Sequence, residues 1–202
     1  MKNIAVLISG RGTNLQALID KHIEKSLNGD IKLVISNNAE AYGLQRAQKA
    51  SIKTIVINHK NSKTREEHDK KILNILKDYK IDLVVLAGYM RIITTVLIEP
   101  YRNKIINIHP SLLPAFPGIH SQKQALDYGV KITGCTTHFV HEEVDGGPII
   151  LQSSVHTSNN DTVDSLSAKI LVEEHKILTK SVTLFCEDKL KIDGKKVTIL
   201  ES

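Results

Sequence analysis

Apolar runs alternate with amphipathic segments through the first half of the chain. Helices are predicted after Thr13, where Leu15, Leu18 and Ile19 share one face, and after Thr64, which opens a capping-box pattern with Glu67. Between such segments, short apolar runs predict strands at residues 3–9, 31–36, 54–57, 82–87 and 104–109. The alternation indicates repeated βαβ units.

These strands are apolar along their whole length, as residues 83–87 (LVVLA) illustrate. Burial on both faces is what a parallel sheet requires, whereas a half-exposed strand would alternate. We therefore predict an α/β fold with a doubly wound, mostly parallel, Rossmann-like sheet. At 202 residues the chain suits a single domain spanning 1–202.

The pattern changes after His109. A proline-rich loop at residues 110–118 is followed by a predicted short helix at 121–128 and strands at 132–140 and 149–155. A long helix is predicted from Asp161, and a small hairpin around Asp193-Gly194 ends the chain.

Composition excludes several classes of protein. No apolar stretch approaches the ~20 residues that span a bilayer, and the first residues lack a signal-peptide pattern, so a cytoplasmic protein is expected. The net charge of +5 favours anionic ligands, but its basic residues are not clustered as nucleic-acid binding requires. Cys135 and Cys186 are too few and too far apart for a disulfide framework, and free buried thiols are expected.

The glycine-rich turn Ser9-Gly10-Arg11-Gly12-Thr13-Asn14 lies where the first strand meets the first helix. Backbone N–H groups at a helix N-terminus could bind a phosphate there, although a plain tight turn with Thr13 as the helix cap explains the glycines equally well. Leu15 occupies the third glycine position of the dinucleotide pattern, and the second strand ends in Ser36-Asn37-Asn38 without an acid. Nicotinamide cofactors are therefore disfavoured.

Asn107 and His109 are two residues apart at the carboxyl end of a buried strand, where open α/β sheets bind ligands. A satisfied core histidine is the alternative interpretation. Asp145 follows another strand in a glycine-rich loop, and Glu174 falls on the apolar face of the long helix; an ordinary acidic turn and an outward-reaching glutamate are their alternatives. No cysteine or histidine cluster suggests a metal, and none is expected.

Four motifs together resemble the phosphoribosylglycinamide formyltransferases, a family within the formyl-folate superfamily, along nearly the whole chain. The Asn-His and Asp-Gly-Gly motifs are highly specific in combination. In this sequence the motifs are Ile8-Ser9-Gly10-Arg11-Gly12-Thr13-Asn14-Leu15, Leu86-Ala87-Gly88-Tyr89-Met90-Arg91-Ile92, Asn107-Ile108-His109-Pro110-Ser111-Leu112-Leu113-Pro114 and Val144-Asp145-Gly146-Gly147-Pro148.

The resemblance implies formyl transfer from 10-formyltetrahydrofolate, as co-substrate, to the amine of glycinamide ribonucleotide in purine synthesis. It implies that Gly12, Thr13 and Asn14 hold the substrate phosphate, that Glu174 contacts the same substrate, and that Asn107, His109 and Asp145 are catalytic. Residues implied to face the folate are Arg65, Met90, Arg91, Ile92, Ile93, Asn107, His141, Val144 and Asp145. Two departures from the family pattern are Leu178-Thr179 and Ala115.

Those three catalytic groups could support direct attack of the amine on the formyl carbon. The Asn107 N–H and a protonated His109 would stabilise the oxyanion, and Asp145 would favour the imidazolium and assist proton transfer. The expected partners are small molecules only, with no nucleic acid or membrane, and the expected assembly is a monomer or weak homodimer.

Two relatives in the same superfamily and one unrelated class compete with this interpretation. Formyltetrahydrofolate deformylase carries an extra N-terminal domain and methionyl-tRNA formyltransferase an extra C-terminal domain, and the chain is expected to have neither. A non-catalytic nucleotide-binding module would use the glycine turn but leave Asn107, His109 and Asp145 unexplained.

Overall fold

The computed structural model describes residues 1–201 as a seven-stranded sheet with helices on both faces, plus a two-stranded hairpin. The strands are β1 (Lys2–Ile8), β2 (Gly29–Ser36), β3 (Lys53–Val56), β4 (Leu83–Leu86), β5 (Ile105–His109), β6 (Ile132–Phe139), β7 (Ile149–His156), β8 (Leu190–Asp193) and β9 (Lys196–Ile199). The helices are α1 (Thr13–Ile23), α2 (Tyr42–Lys49), α3 (Arg65–Asp78), α4 (Thr95–Ile98), α5 (Ser121–Tyr128) and α6 (Val163–Cys186).

The strand order in the large sheet is β3-β2-β1-β4-β5-β6-β7. The first five strands in this order pair in parallel, and β6 and β7 are added in antiparallel orientation. The order reverses between β1 and β4, which opens a crevice beyond their carboxyl ends. The predicted doubly wound, mostly parallel α/β sheet is confirmed.

Strand β1 shows why its sequence is apolar throughout. Ile4, Val6 and Ile8 belong to the core on the side of α1, α2 and α6, whereas Ala5 and Leu7 belong to the core on the side of α3 and α4. All five are fully buried, because the sheet is covered on both faces. The hydrophobic residues therefore fix a three-layer arrangement with the sheet in the middle.

Element boundaries differ from the predicted ones by one or two residues. The long helix begins at Val163, after Thr162 as N-cap, and α4 and a 3₁₀ turn at His59–Asn61 were not predicted. The N-cap of α1 is Gly12, not Thr13. Cys135 and Cys186 are free thiols as predicted, although Cys186 is only half-buried. Among residues 1–201, no helix is both long and apolar enough to cross a membrane.

The buried His68 on α3 makes the stability of the fold sensitive to acid. Burial, with help from the charge of Arg91, lowers its pKa from 6.5 to about 4, so the unfolded chain takes up a proton at a higher pH than the folded one. We expect the free energy of unfolding to fall as pH drops from about 6.5 towards 4, by roughly 1 kcal/mol per pH unit from this group. His68→Phe should flatten that slope in thermal unfolding measured from pH 7 to pH 5; an unchanged slope would contradict this assignment.

Candidate active site

Two adjoining cavities lie at the carboxyl edge of the sheet. The larger, about 550 Å³, is formed by the ends of β4, β5 and β6 and by the loops that follow them. The smaller, about 260 Å³, is formed by the glycine-rich turn after β1. Gly88 and Met90 line both cavities, so the two spaces share a wall.

Four polar side chains meet on the wall of the larger cavity. Asp145 Oδ2 lies 3.4 Å from His109 Nδ1, and Asp145 Oδ1 lies 3.7 Å from His138 Nε2. Asn107 Nδ2 lies 3.1 Å from His138 Nε2, because Asn107 and His138 are direct partners in the antiparallel pairing of β5 with β6. The structure therefore brings the predicted Asn107, His109 and Asp145 together and adds His138.

His138 fixes the orientation of the Asn107 amide. Its Nδ1 lies 3.0 Å from the Phe139 carbonyl oxygen, which can only accept, so Nδ1 carries the proton. Burial lowers the pKa of His138, which keeps the ring neutral and leaves Nε2 as an acceptor. The Asn107 amino group must then face this nitrogen. One of its two N–H groups bonds to His138, and the other remains for a group in the cavity.

His109 is buried and engaged at both ring nitrogens. Nδ1 faces Asp145, and Nε2 lies 3.0 Å from the Phe116 carbonyl oxygen in the proline-rich loop. Because a carbonyl oxygen can only accept, Nε2 carries a proton. The contact between Nδ1 and Asp145 is an ion pair only when Nδ1 is protonated as well. A direct hydrogen bond from Nε2 to a ligand requires this N–H to leave the Phe116 carbonyl oxygen.

Asp145 is held by its backbone and by a neighbouring loop. It adopts a left-handed conformation with φ of +54°, which aspartate tolerates better than most residues, and its Oδ2 accepts a hydrogen bond from Gly118 N–H at 2.8 Å. Gly147 permits the return of this loop, because a Cβ there would lie 1.8 Å from the Phe139 carbonyl oxygen. These contacts place the carboxylate between the two histidines.

The residues predicted to face a folate separate into two groups. Arg65 is exposed in the first turn of α3 and does not line the larger cavity. The other predicted residues all line it, and the side chains of Met90, Ile92 and Val144 are half exposed or more, so they offer apolar surface inside a cleft. Those lining residues are Met90, Arg91, Ile92, Ile93, Asn107, His141, Val144 and Asp145.

The smaller cavity is lined by the predicted Gly12, Thr13 and Asn14. Gly12 has φ of +69°, and a Cβ on it would lie 2.6 Å from Gly43 Cα, so this glycine is required both for the turn and for close packing of α2. The first N–H groups of α1 have no acceptor within the helix and face this turn. The tight-turn and phosphate interpretations are thus compatible, because the same glycine serves both.

Glu174 is buried behind the smaller cavity, on the inward face of α6 as predicted. Its Oε2 accepts a hydrogen bond from Asn14 Nδ2 at 2.8 Å. Burial raises the pKa of Glu174, and the Asn14 hydrogen bond and the charge of His109 oppose that rise. Asn14 Oδ1 is buried without a hydrogen-bond partner among residues 1–201. A buried carboxylate beside an unsatisfied amide oxygen is costly unless a ligand supplies donors.

Sequence reasoning did not single out His138 or Gly118. His138 carried a detectable signal, since it is a polar residue at the end of a predicted strand, as Asn107 is. The sequence does not show that β5 pairs with β6, and this pairing is what sets His138 opposite Asn107. Gly118 contributes a backbone N–H only, and no residue type identifies such a donor. Within residues 1–201, no three His, Cys, Asp or Glu side chains are grouped as metal ligands would be.

The sequence and the fold both match a family of enzymes. The family model described as "Formyl transferase" matches residues 2–182, and the chain belongs to this family. Phosphoribosylglycinamide formyltransferase of Escherichia coli (strain K12) is 41% identical over 190 residues, which cover 94% of this chain and 90% of that protein. The predicted resemblance to the phosphoribosylglycinamide formyltransferases is confirmed, and so is the expectation that the protein is an enzyme of this family.

Two further comparisons agree. A solved structure of glycinamide ribonucleotide transformylase 1 from Symbiobacterium toebii superimposes with a TM-score of 0.98 at 47% identity, covering 100% of this chain and 95% of that one. The human trifunctional purine biosynthetic protein adenosine-3 is 49% identical over 181 residues, which are 90% of this chain. The chain spans only 18% of the length of that relative.

The buried Glu174 should lower the stability of the protein. Glu174→Gln removes a charge from a buried site and keeps an acceptor for Asn14 Nδ2. We expect a gain of about 1 kcal/mol in the free energy of unfolding at pH 7. The gain should shrink as pH falls, because the raised pKa of Glu174 means that the wild-type carboxyl takes up its proton at a higher pH in the folded protein than in the unfolded chain. Thermal unfolding at pH 7 and pH 4.5 measures both effects; a loss of stability at pH 7 would contradict the argument.

Proposed function

We propose that the protein transfers the formyl group of 10-formyltetrahydrofolate to the amine of glycinamide ribonucleotide, a step of purine biosynthesis. The observation that carries this proposal is the cluster of Asn107, His109 and Asp145 on the wall of a cavity that adjoins the glycine turn. The named relatives support the same reaction. The proposed partners are these two small molecules, and the proposed assembly is a monomer or weak homodimer.

The larger cavity suits the folate. Its apolar side chains at Met90, Ile92 and Val144 offer a surface for a flat ring system, and the polar cluster lies on the wall of the same space. Arg65 stands apart from this cavity, so in the proposal it contacts only a part of the folate that extends beyond the cleft.

The smaller cavity suits the ribonucleotide. Its N–H groups at the start of α1 and the Thr13 hydroxyl provide donors for a phosphate, and the helix dipole favours a negative charge there. Asn14 and Glu174 lie behind the turn, with a carboxylate and an unpaired amide oxygen that can accept from hydroxyl groups of a sugar. The shared wall at Gly88 and Met90 then allows the two substrates to meet.

The reaction proceeds by attack of the amine nitrogen on the formyl carbon. The C–N bond to the new amide forms and an oxyanion develops on the former carbonyl oxygen. Asn107 donates its free N–H to this oxygen, with His138 holding the amide in the required orientation, and the His109 imidazolium stabilises the charge.

Collapse of the tetrahedral intermediate breaks the bond between the formyl carbon and the folate nitrogen. The attacking amine loses one proton and the departing folate nitrogen gains one, so tetrahydrofolate is released. Asp145, held by Gly118 N–H and 3.4 Å from His109, stabilises the imidazolium and assists this proton transfer.

The direct test is an assay with both substrates. Purified protein is mixed with glycinamide ribonucleotide and 10-formyltetrahydrofolate, and tetrahydrofolate and the formylated ribonucleotide are quantified. The proposal requires the two products in equal amounts. Formate with no formylated ribonucleotide would indicate a deformylase, and binding of the ribonucleotide with no turnover would indicate a non-catalytic module.

Loss of the Asp145 charge should impair the chemical step. Asp145→Asn retains an oxygen acceptor for Gly118 N–H but removes the counter-charge of the imidazolium. We expect kcat to fall on the order of 10²-fold, while the KM of each substrate changes little. His109→Asn should have a similar effect, and the double variant should be little worse than either single one, because both groups act on one transition state. A folded Asp145→Asn protein with near-normal kcat would remove Asp145 from the mechanism.

The phosphate assignment is best tested at Thr13. Gly12 is unsuitable, because any side chain there collides with Gly43. Thr13→Val removes a hydroxyl at nearly constant volume, and we expect the ribonucleotide KM to rise about 10-fold with an unchanged folate KM, as loss of one hydrogen bond to a charged group would produce. Thr13→Ser keeps the hydroxyl and is the matched control. Equal increases in both KM values would count against the assignment.

A further inference from the structure

Residues 87–94 form an irregular segment between β4 and α4, and much of the wall of the larger cavity comes from it. Tyr89, Met90, Arg91, Ile92 and Ile93 all line that cavity. A segment without regular backbone hydrogen bonds keeps a defined shape only if other groups hold it. The shape of this wall therefore depends on contacts from outside the segment.

Two consecutive buried residues of α3 supply such contacts, one at each end of the segment. His68 Nε2 lies 2.9 Å from the Tyr89 hydroxyl. Asp69 Oδ2 accepts from Thr94 N at 2.6 Å and from Thr94 Oγ1 at 2.8 Å. Thr94 is the N-cap of α4, so the second contact also fixes where that helix begins.

Neither residue touches the cavity. His68 is fully buried and Asp69 is 2% exposed, and both are absent from the residues that line the larger space. Their side chains reach the segment from behind, whereas Ser9 Oγ, on the side of the glycine turn, accepts from Met90 N at 2.8 Å. The segment is thus tethered on both sides of its cavity-lining residues.

These contacts are maintained at a cost in stability. His68 Nδ1 is buried without a hydrogen-bond partner within residues 1–201, and burial raises the pKa of Asp69 despite its two hydrogen bonds to Thr94. An apolar residue at position 68 would pack against the neighbouring core of α3 without burying an unpaired ring nitrogen. At position 69 it would avoid a buried carboxyl, but it would leave the Thr94 N–H and hydroxyl without their acceptor. Polar groups kept at such positions are expected where geometry matters more than stability.

We propose that His68 and Asp69 are positioning residues that set the affinity of the larger cavity for the formyl donor by holding residues 89–94 in shape. The inference rests on the proposed function for the identity of the ligand, but the tethering itself does not. Through Tyr89 and Thr94, each residue holds one end of the wall against which the folate ring packs.

The kinetic test separates the two substrates. Asp69→Leu breaks both hydrogen bonds of the second tether, whereas Thr94→Val removes only the bond from the hydroxyl and keeps the one from Thr94 N–H. We expect the KM for 10-formyltetrahydrofolate to rise roughly 10-fold in Asp69→Leu and by a smaller factor in Thr94→Val, while the ribonucleotide KM stays within about twofold in both. Asp69→Asn keeps an acceptor for Thr94 and should retain most of the wild-type affinity for 10-formyltetrahydrofolate. At the first tether, Tyr89→Phe removes a single oxygen, and combining it with His68→Phe should add little to either change alone.

Ser181→Ala is the matched control for a buried hydroxyl. Ser181 is fully buried on α6 and bonds to Thr137 at 2.7 Å, away from both cavities. We expect it to lower stability as Thr94→Val does and to leave both KM values unchanged. Equal increases in both KM values for the tether variants, or an increase for Ser181→Ala as large as theirs, would overturn the proposal.

A second measurement does not require activity. Amide hydrogen exchange of residues 89–94 in the ligand-free protein should be faster in Asp69→Leu than in the wild type, Asp69→Asn or Ser181→Ala. Unchanged exchange in Asp69→Leu would refute the tethering. If the wild type showed no formyl transfer, the proposed function would be wrong. Binding of tetrahydrofolate to the wild type and to Asp69→Leu would then decide whether the tethers act on a folate site. Equal affinities would overturn the proposal that His68 and Asp69 set the affinity for a folate.

Discussion

The antiparallel pairing of β5 with β6 is the constraint on which the candidate active site depends. It places His138 directly opposite Asn107 where the pairing of the sheet changes from parallel to antiparallel. The loop that follows β6 then returns Asp145 to within 3.4 Å of His109 and 3.7 Å of His138. If β6 ran parallel to β5, its residues would meet β5 in another register, and the Asn107 amide would lose the acceptor that orients it.

The residues around the two cavities include groups that would be avoided if the sequence were selected for stability alone. Asp145 has a left-handed backbone, Glu174 is a buried carboxyl with a raised pKa, and Asn14 keeps an unpaired oxygen. Each is costly in the free protein, and each lies beside a cavity. Such a concentration is typical of a site whose polar groups complete their bonding only with a ligand.

The two cavities are linked through a short stretch of backbone. Gly88 and Met90 belong to both, and residues 89–94 are held from α3 on one side and from Ser9 on the other. Ser9 is the first residue of the glycine turn and donates to Asn37 Oδ1, just after β2. The relative position of the two cavities is thus set by the hydrogen bonds of Ser9 Oγ, which link β1 to the end of β2 and to the segment after β4.

The sequence by itself determined the α/β class, the sheet strands, the long helix and the glycine turn, because apolar periodicity and capping residues are local signals. It also predicted Asn107, His109 and Asp145 as candidate catalytic residues, partly from strand-end polarity and partly through a resemblance carried by four motifs, and the structure places the three side chains together. Only the tertiary structure decided that His138 orients Asn107, that Arg65 stands apart from the cavity, and that Gly12 packs against Gly43. The contacts of His138 with Asn107 and of Gly12 with Gly43 join segments about 30 residues apart in the sequence. Local sequence patterns do not determine strand order or pairing register, so these contacts could not be predicted from the sequence.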